Sequence, residues 1–217
     1  MKSNLTHWQH LQEEDYFEKH PCYKGLVDMG DNECNIVEWF TSFRPAMNVV
    51  VIGCGYGRES VHIARRVGRV YGIDVSTKIL DKAARYVAEH HVSNFTPVLA
   101  ESFATAIPTG VDLVFSIVVF QHLTRDLAAN YLNVLGGKLS PDGRMIIQFV
   151  EDFAADPNAD AELKDYEPSV SYNIRQVVET IQPFGLRLEA ARSLMATPSC
   201  IWHWMCLARD DVTASHA

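Results

Sequence analysis

Three glycines, Gly53, Gly55 and Gly57, stand in the segment VVVIGCGYGRES, between a run of β-branched residues and the start of a helical pattern. Glycine at such a turn permits positive φ and leaves no side chain in the way, and the helix amino terminus can present N–H groups to an anion. The chemistry this suits is the holding of an adenine-containing cofactor. Asp74 closes the next strand, twenty-one positions after Gly53, where a carboxylate accepts both ribose hydroxyl protons and repels a 2′-phosphate. Further along, Gln121 and His122 follow the fourth expected strand, and Glu151 with Asp152 follow the fifth. In an open α/β sheet ligands sit beyond those carboxyl ends. His122 is the residue type suited to proton transfer near neutral pH, with a packed structural role as its alternative. Glu151 suits the orienting of a cationic or hydroxylated partner, unless it is only the solvated head of an acidic loop. Trp202 and Trp204 share one strand face while His203 takes the other, within reach of a substrate pocket.

The elements that must position these residues follow from periodicity. NVVVIGC reads as a buried strand, RESVHIARR as a helix, RVYGID as a strand, and STKILDKAARYVAEHH as a helix with Ser76 as its cap. FTPVLA and DLVFSIV read as strands, TRDLAANYLNVLGGKL as a helix capped by Thr124, and GRMIIQFV as a strand. Strand and helix alternate, the pattern of a doubly wound α/β domain with helices on both faces. EDFAADPNADAELKDYEPS is acidic and holds two prolines, which predicts a surface insertion over 151–170. A helix (NIRQVVETIQPF) stopped by Gly185 and two strands, LRLEAARSL and CIWHWMCLAR, complete the domain. Ahead of it, residues 1–44 read as a helical extension, with Asp31 or Asn32 able to cap its second helix. Its Tyr16, His20 and Tyr23 could close over a substrate, although Trp8 and Tyr16 at helical spacing also suit plain packing. Three segments result: a cap over 1–44, a cofactor-binding domain over 45–209, and a frayed tail over 210–217.

The dinucleotide fingerprint GxGxxG would need glycine at position 58, where Arg58 stands; the spacing here is GxGxG. In this it resembles the class I S-adenosylmethionine-dependent methyltransferases, whose first motif has that spacing and whose second strand ends in an acid. VLAES (98–102), VDLVFSIVVFQHL and LSPDGRMII resemble the family's third-strand motif, fourth-strand motif and PGG turn before strand five. Glu101 stands where the family most often has Asp, and Asp142 replaces the first glycine of the PGG turn. The resemblance implies a Rossmann-like, seven-stranded, mostly parallel sheet with the last strand antiparallel. It implies S-adenosyl-L-methionine as cofactor and S-adenosyl-L-homocysteine as product. Gly53, Cys54, Gly55 and Gly57 would surround the methionine part, Asp74 and Val75 the ribose, and Glu101 with Ser102 the adenine. Ser116, Ile117 and Val118 would line the pocket floor. His122 would be the catalytic residue, and Tyr16, His20, Tyr23, Gln121, Glu151 and His203 would meet the methyl acceptor.

Composition restricts the acceptor. Of 217 residues, 19 are Lys or Arg and 27 Asp or Glu, a net charge of −8. That is the wrong sign for general nucleic-acid binding. An NPPY-like motif after the fourth strand is also missing, FQHL standing in its place. A small-molecule methyl acceptor, taking the group on oxygen or nitrogen, is therefore the expectation. A protein or nucleic-acid methyltransferase and a non-catalytic binding module on the same fold are the rivals. No apolar run approaches the ~20 residues that span a bilayer, and the amino terminus has no secretory or transit pattern, so the expected location is cytoplasmic, with no membrane partner. Monomer and homodimer are both open. The five cysteines are odd in number and lack a CxxC pair, and His7/His10 and His90/His91 lack further ligand-spaced partners. Reduced thiols and no metal are expected.

Overall fold

The computed structural model describes residues 4–19, 33–160, 162–164 and 167–210, so the expected cap at Asp31 or Asn32, and His20, Tyr23 and the tail after Asp210, lie outside the described residues. The chain divides at Ile107/Pro108 into two compact units. The first holds helices α1 (Asn4–Glu13) and α2 (Tyr16–Lys19), a 3-10 turn (Asn35–Trp39), and then β1 (Asn48–Ile52), α3 (Arg58–Ala64), β2 (Arg69–Asp74), α4 (Thr77–Glu89), β3 (Phe95–Leu99) and α5 (Phe103–Ala106). β2 pairs in parallel with both β1 and β3. Val49, Val50, Val51 and Ile52 are all buried, which explains why β1 is a continuous apolar run instead of an alternating one. α4 is held by the opposite device, a single apolar stripe of Ile79, Leu80, Ala83 and Val87.

The second unit holds β4 (Val111–Ser116), α6 (Arg125–Gly136), β5 (Leu139–Asp152), the short pair β6 (Glu162–Lys164) and β7 (Glu167–Ser169), α7 (Ile174–Ile181), β8 (Leu186–Thr197) and β9 (Cys200–Arg209). The helix starts are set by side-chain caps. Thr124 Oγ1 accepts from the Leu127 N–H at 3.4 Å, and Asn173 and Gln176 form a reciprocal capping box at α7. The chain leaves the turn after α7 through Gly185 in the left-handed region, φ 68°. β4 pairs in parallel with β5, and β9 runs antiparallel to both β5 and β8. The strands form one seven-stranded sheet in the order β3-β2-β1-β4-β5-β9-β8, mostly parallel and Rossmann-like, with the last strand antiparallel.

The structure departs from the sequence expectations at four places. Ser76 occupies the N-cap of α4 but its side chain makes no capping bond; its backbone N–H is instead drawn to the Asp74 carboxylate. β4 stops at Ser116, two residues before the expected Val118. LSPDG does not form a separate turn: β5 begins at Leu139, and its register with β4 breaks so that Val111 faces Leu139 while Leu113 faces Arg144. At its other end β5 continues through Glu151 and Asp152, because both pair with β9. The expected insertion therefore starts later and carries the β6/β7 pair. Arg125 fastens its first half, with its backbone N–H donating to Asp160 Oδ1 at 2.8 Å and its guanidinium to the carbonyls of Pro157 and Ser171.

Candidate active site

In the first unit the glycine loop leaves β1 with Gly53, Gly55 and Gly57 all at positive φ, 66°, 53° and 96°. A side chain at these positions would be strained, which accounts for the spacing. Gly57 answers a second demand: a Cβ there would stand 3.0 Å from Val87 Cγ2, so glycine also lets the start of α3 approach α4. The Cys54 thiol is buried and turned toward Gly72, so Cys54 offers a ligand only backbone. Burial, with Asp74 nearby, pushes that thiol well above its ordinary range.

Asp74 ties the loop to β2. One carboxylate oxygen accepts the Gly55 N–H at 2.9 Å and the other the Val75 N–H at 2.7 Å. Burial raises its carboxyl from 3.8 to about 6, against the pull of those N–H groups. A carboxylate has about four acceptor positions, so Asp74 keeps capacity for hydroxyl donors while shaping the loop. α1 lies over this end of β2, its Gln9 Nε2 donating to the Val75 carbonyl at 3.1 Å. Lys78 and Lys82 both reach Asp15 at 3.0 Å. One turn on from Gln9 and on the same helix face, Gln12 is buried and its Oε1 has no hydrogen-bond partner. An unsatisfied buried acceptor and a carboxylate with spare acceptor positions both suit a nucleoside, whose hydroxyl and amino groups donate. These residues therefore fit an adenosine-type group. Tyr16 is buried and meets Trp8 edge to face at 5.3 Å, a packing contact. Glu101 and Ser102 are exposed on the turn after β3, and Ser102 Oγ donates to the Leu99 carbonyl.

In the second unit, Ser116 is buried at the end of β4, and Val118, two residues later, sits at φ 54°. A β-branched residue in the left-handed region costs about 1–3 kcal/mol and persists only where its surroundings force it. Gln148 does so: its Oε1 accepts the Val118 N–H at 2.6 Å. The next turn, Phe120–His122, is pinned by the Val170 N–H donating to the Gln121 carbonyl at 2.6 Å and by edge-to-face contact of Phe120 with Phe149. Gln121 keeps a buried Oε1 without a partner, and His122 is 9% exposed.

Glu151 and His203 meet directly: Glu151 Oε2 and His203 Nε2 are 2.9 Å apart, and His203 Nδ1 lies 2.8 Å from Ser193 Oγ. The imidazole is buried and its ring orientation is fixed from both sides. Ser193, Gln148 and Gln12 were not among the residues singled out from the sequence. Ser193 comes to His203 through antiparallel register, which leaves no local trace. For Gln148 a signal existed, a lone amide inside MIIQFV. Among the described residues no group of three or more His, Cys, Asp or Glu is placed to hold a metal, and no helix is long and apolar enough to cross a membrane.

Residues 49–143 match the family model described as "Methyltransferase domain". Over 174 residues, 79% of this chain, the sequence is 29% identical to the trans-aconitate 2-methyltransferase of Azoarcus sp. (strain BH72), covering 57% of that protein. Over 107 residues, 49% of this chain, it is 30% identical to thiocyanate methyltransferase 1 of Brassica oleracea, covering 47% of it. The chain thus spans about half the length of these curated relatives. Among solved structures, the CcbJ methyltransferase from Streptomyces caelestis superposes with a TM-score of 0.72 at 18% identity, over 95% of this chain and 99% of that one. The sheet order and the antiparallel last strand are those of the Rossmann-like methyltransferase fold.

Proposed function

From the match of residues 49–143 to the methyltransferase-domain model, we propose that this chain transfers a methyl group from S-adenosyl-L-methionine to an oxygen or nitrogen of a small molecule. The observation that supports the reading is the glycine loop: three left-handed glycines, clamped by an acid whose two oxygens accept the Gly55 and Val75 N–H groups. When bound, the cofactor supplies an activated methyl group and its own leaving group. Gly53, Cys54, Gly55 and Gly57 present backbone to the methionine part. Asp74, Val75 and Gln12 take the ribose and the groups around it, while Glu101 and Ser102 flank the adenine. Ser116, Ile117 and Val118 line the floor, held in shape by Gln148.

The protein's remaining task is to align the acceptor and exclude water. Residues 1–44 act as the cap, with α1 already seated over Val75. Gln121, Glu151 and His203 orient the acceptor, Glu151 being fixed by the imidazole. His122, on the turn after β4, takes the proton where the acceptor carries one. A net charge of −8 supports a small acceptor over nucleic acid. So do relatives whose names state trans-aconitate and thiocyanate as the molecules methylated. The test is homocysteine release after S-adenosylhomocysteine hydrolysis, with a metabolite panel that includes trans-aconitate. Methyl transfer to at least one panel member supports the reading. Cofactor binding with no transfer to any of them points instead to a binding module on the same fold.

A further inference from the structure

Three donor-bearing side chains form one row across β5, β9 and β8. Gln148 lies directly opposite Trp204, and Trp204 directly opposite Arg192. Directly paired antiparallel residues point to the same face with Cβ atoms about 5 Å apart, so the three share a face on adjacent strands. Gln148 and Trp204 are both 0% exposed. The Gln148 amide cannot be turned the other way round, because its Oε1 must accept the Val118 N–H. Its Nε2 is therefore the donor end left over, and it has no hydrogen-bond partner; neither has the Trp204 indole Nε1. The indole ring is stacked on Phe115, 6.2 Å between centroids and 11° from parallel, which fixes the plane of the ring. A buried polar group without a partner costs about 1–3 kcal/mol, and two at directly paired positions mark a place for an acceptor.

The height in the sheet is that of a ligand. Ser116, the last residue of β4, pairs with Ile147, so Gln148 stands one residue past the carboxyl end of β4, where α/β sheets bind their substrates. Each member of the row carries N–H donors: an amide, an indole and a guanidinium. Arg192 is exposed on the edge strand, which gives the row an open end. Guanidinium with flanking N–H donors is the recognition chemistry of a carboxylate. We propose that Gln148, Trp204 and Arg192 seat a carboxylate of the methyl acceptor, which makes the substrate class a small carboxylic acid. The seat rests on the methyltransferase reading for the word acceptor, but not for the binding itself.

The test reads the Trp204 indole N–H by nitrogen-15 NMR in protein loaded with S-adenosylhomocysteine, the signal being assigned by its loss in Trp204→Phe. Formate and benzoate are the probes, with benzamide as an uncharged comparison. The expected result is a saturable shift of the Trp204 signal by formate or benzoate, with Trp8 and Trp39 unmoved and benzamide at least about tenfold weaker. Arg192→Met, an exposed change that spares the core, weakens the carboxylate about tenfold while heat of S-adenosylhomocysteine binding is retained. A Trp204 signal that neither carboxylate moves overturns the proposal and leaves an ordered water as the occupant of the pair. Equal response to benzamide, or an unchanged affinity in Arg192→Met, overturns it as well. Absence of S-adenosylhomocysteine binding in the unmodified protein is a separate result, and it strikes the methyltransferase reading instead.

Discussion

Replacing Asp74 by Asn separates what this acid does for the fold from what it does for a ligand. Its carboxyl rises from 3.8 to about 6 on burial, and at about 1.4 kcal/mol per pH unit the ionised form costs the fold about 3 kcal/mol at neutral pH. The sign is that of an acid raised in the folded state. From about pH 4 to about pH 6 the unfolded chain is ionised while the folded one still holds its proton, so stability falls as pH rises through that window and is level above it. The Asn variant lacks this slope. Ligand binding runs the other way, because hydroxyl groups donate to the ionised form. Affinity for S-adenosylhomocysteine falls as pH drops through about 6. Asn offers one oxygen where Gly55 and Val75 present two N–H groups, and losing a hydrogen bond to a charged group costs about 1.5–3 kcal/mol, roughly 10- to 150-fold in Kd. Calorimetric titration with S-adenosylhomocysteine between about pH 5 and pH 8, beside urea unfolding of both proteins, measures both trends. An Asn variant that binds within about threefold of the original and shows the same pH dependence refutes the assignment of Asp74 to the ligand.

Gly57→Ala combines a φ of 96° with a Cβ placed 3.0 Å from Val87 Cγ2, and urea unfolding is expected to register a loss of about 1–3 kcal/mol. Val118→Gly relieves a left-handed β-branched residue; thermal melting should show stability unchanged or raised by up to about 1 kcal/mol. Asn173→Ala removes one half of the capping box and should cost about 1 kcal/mol in urea. Once an acceptor is known, His122→Ala is expected to lower kcat and flatten its pH profile; turnover unchanged across pH removes His122 from the chemistry.

The parts legible in the sequence are those governed by neighbours along the chain. The glycine loop and Asp74 were readable because a left-handed turn between strand and helix demands glycine whatever surrounds it, and Thr124 and Gly185 because caps and stops are local chemistry. The alternation of strands and helices fixed the class of fold for the same reason. What escaped depends on register between distant segments. Ser193 reaches His203 only because β8 pairs with β9 in one particular alignment, and the Gln148–Trp204–Arg192 row needs two such alignments at once. The extension of β5 past Val150 follows from its pairing with β9, so the acidic residues after it read as loop. Ser76 read as a side-chain cap, and the competing acceptor was Asp74, whose carboxylate attracts the same end of the helix.

A crystal structure grown with S-adenosyl-L-homocysteine tests the account most directly. The expected result places the nucleoside beyond the ends of β1 and β2, its ribose hydroxyls within about 3 Å of the Asp74 carboxylate and the amino acid part against Gly53 and Gly55. A structure in which side chains of this protein fill that position, with Asp74 oxygens meeting only the protein's own backbone N–H groups, contradicts it.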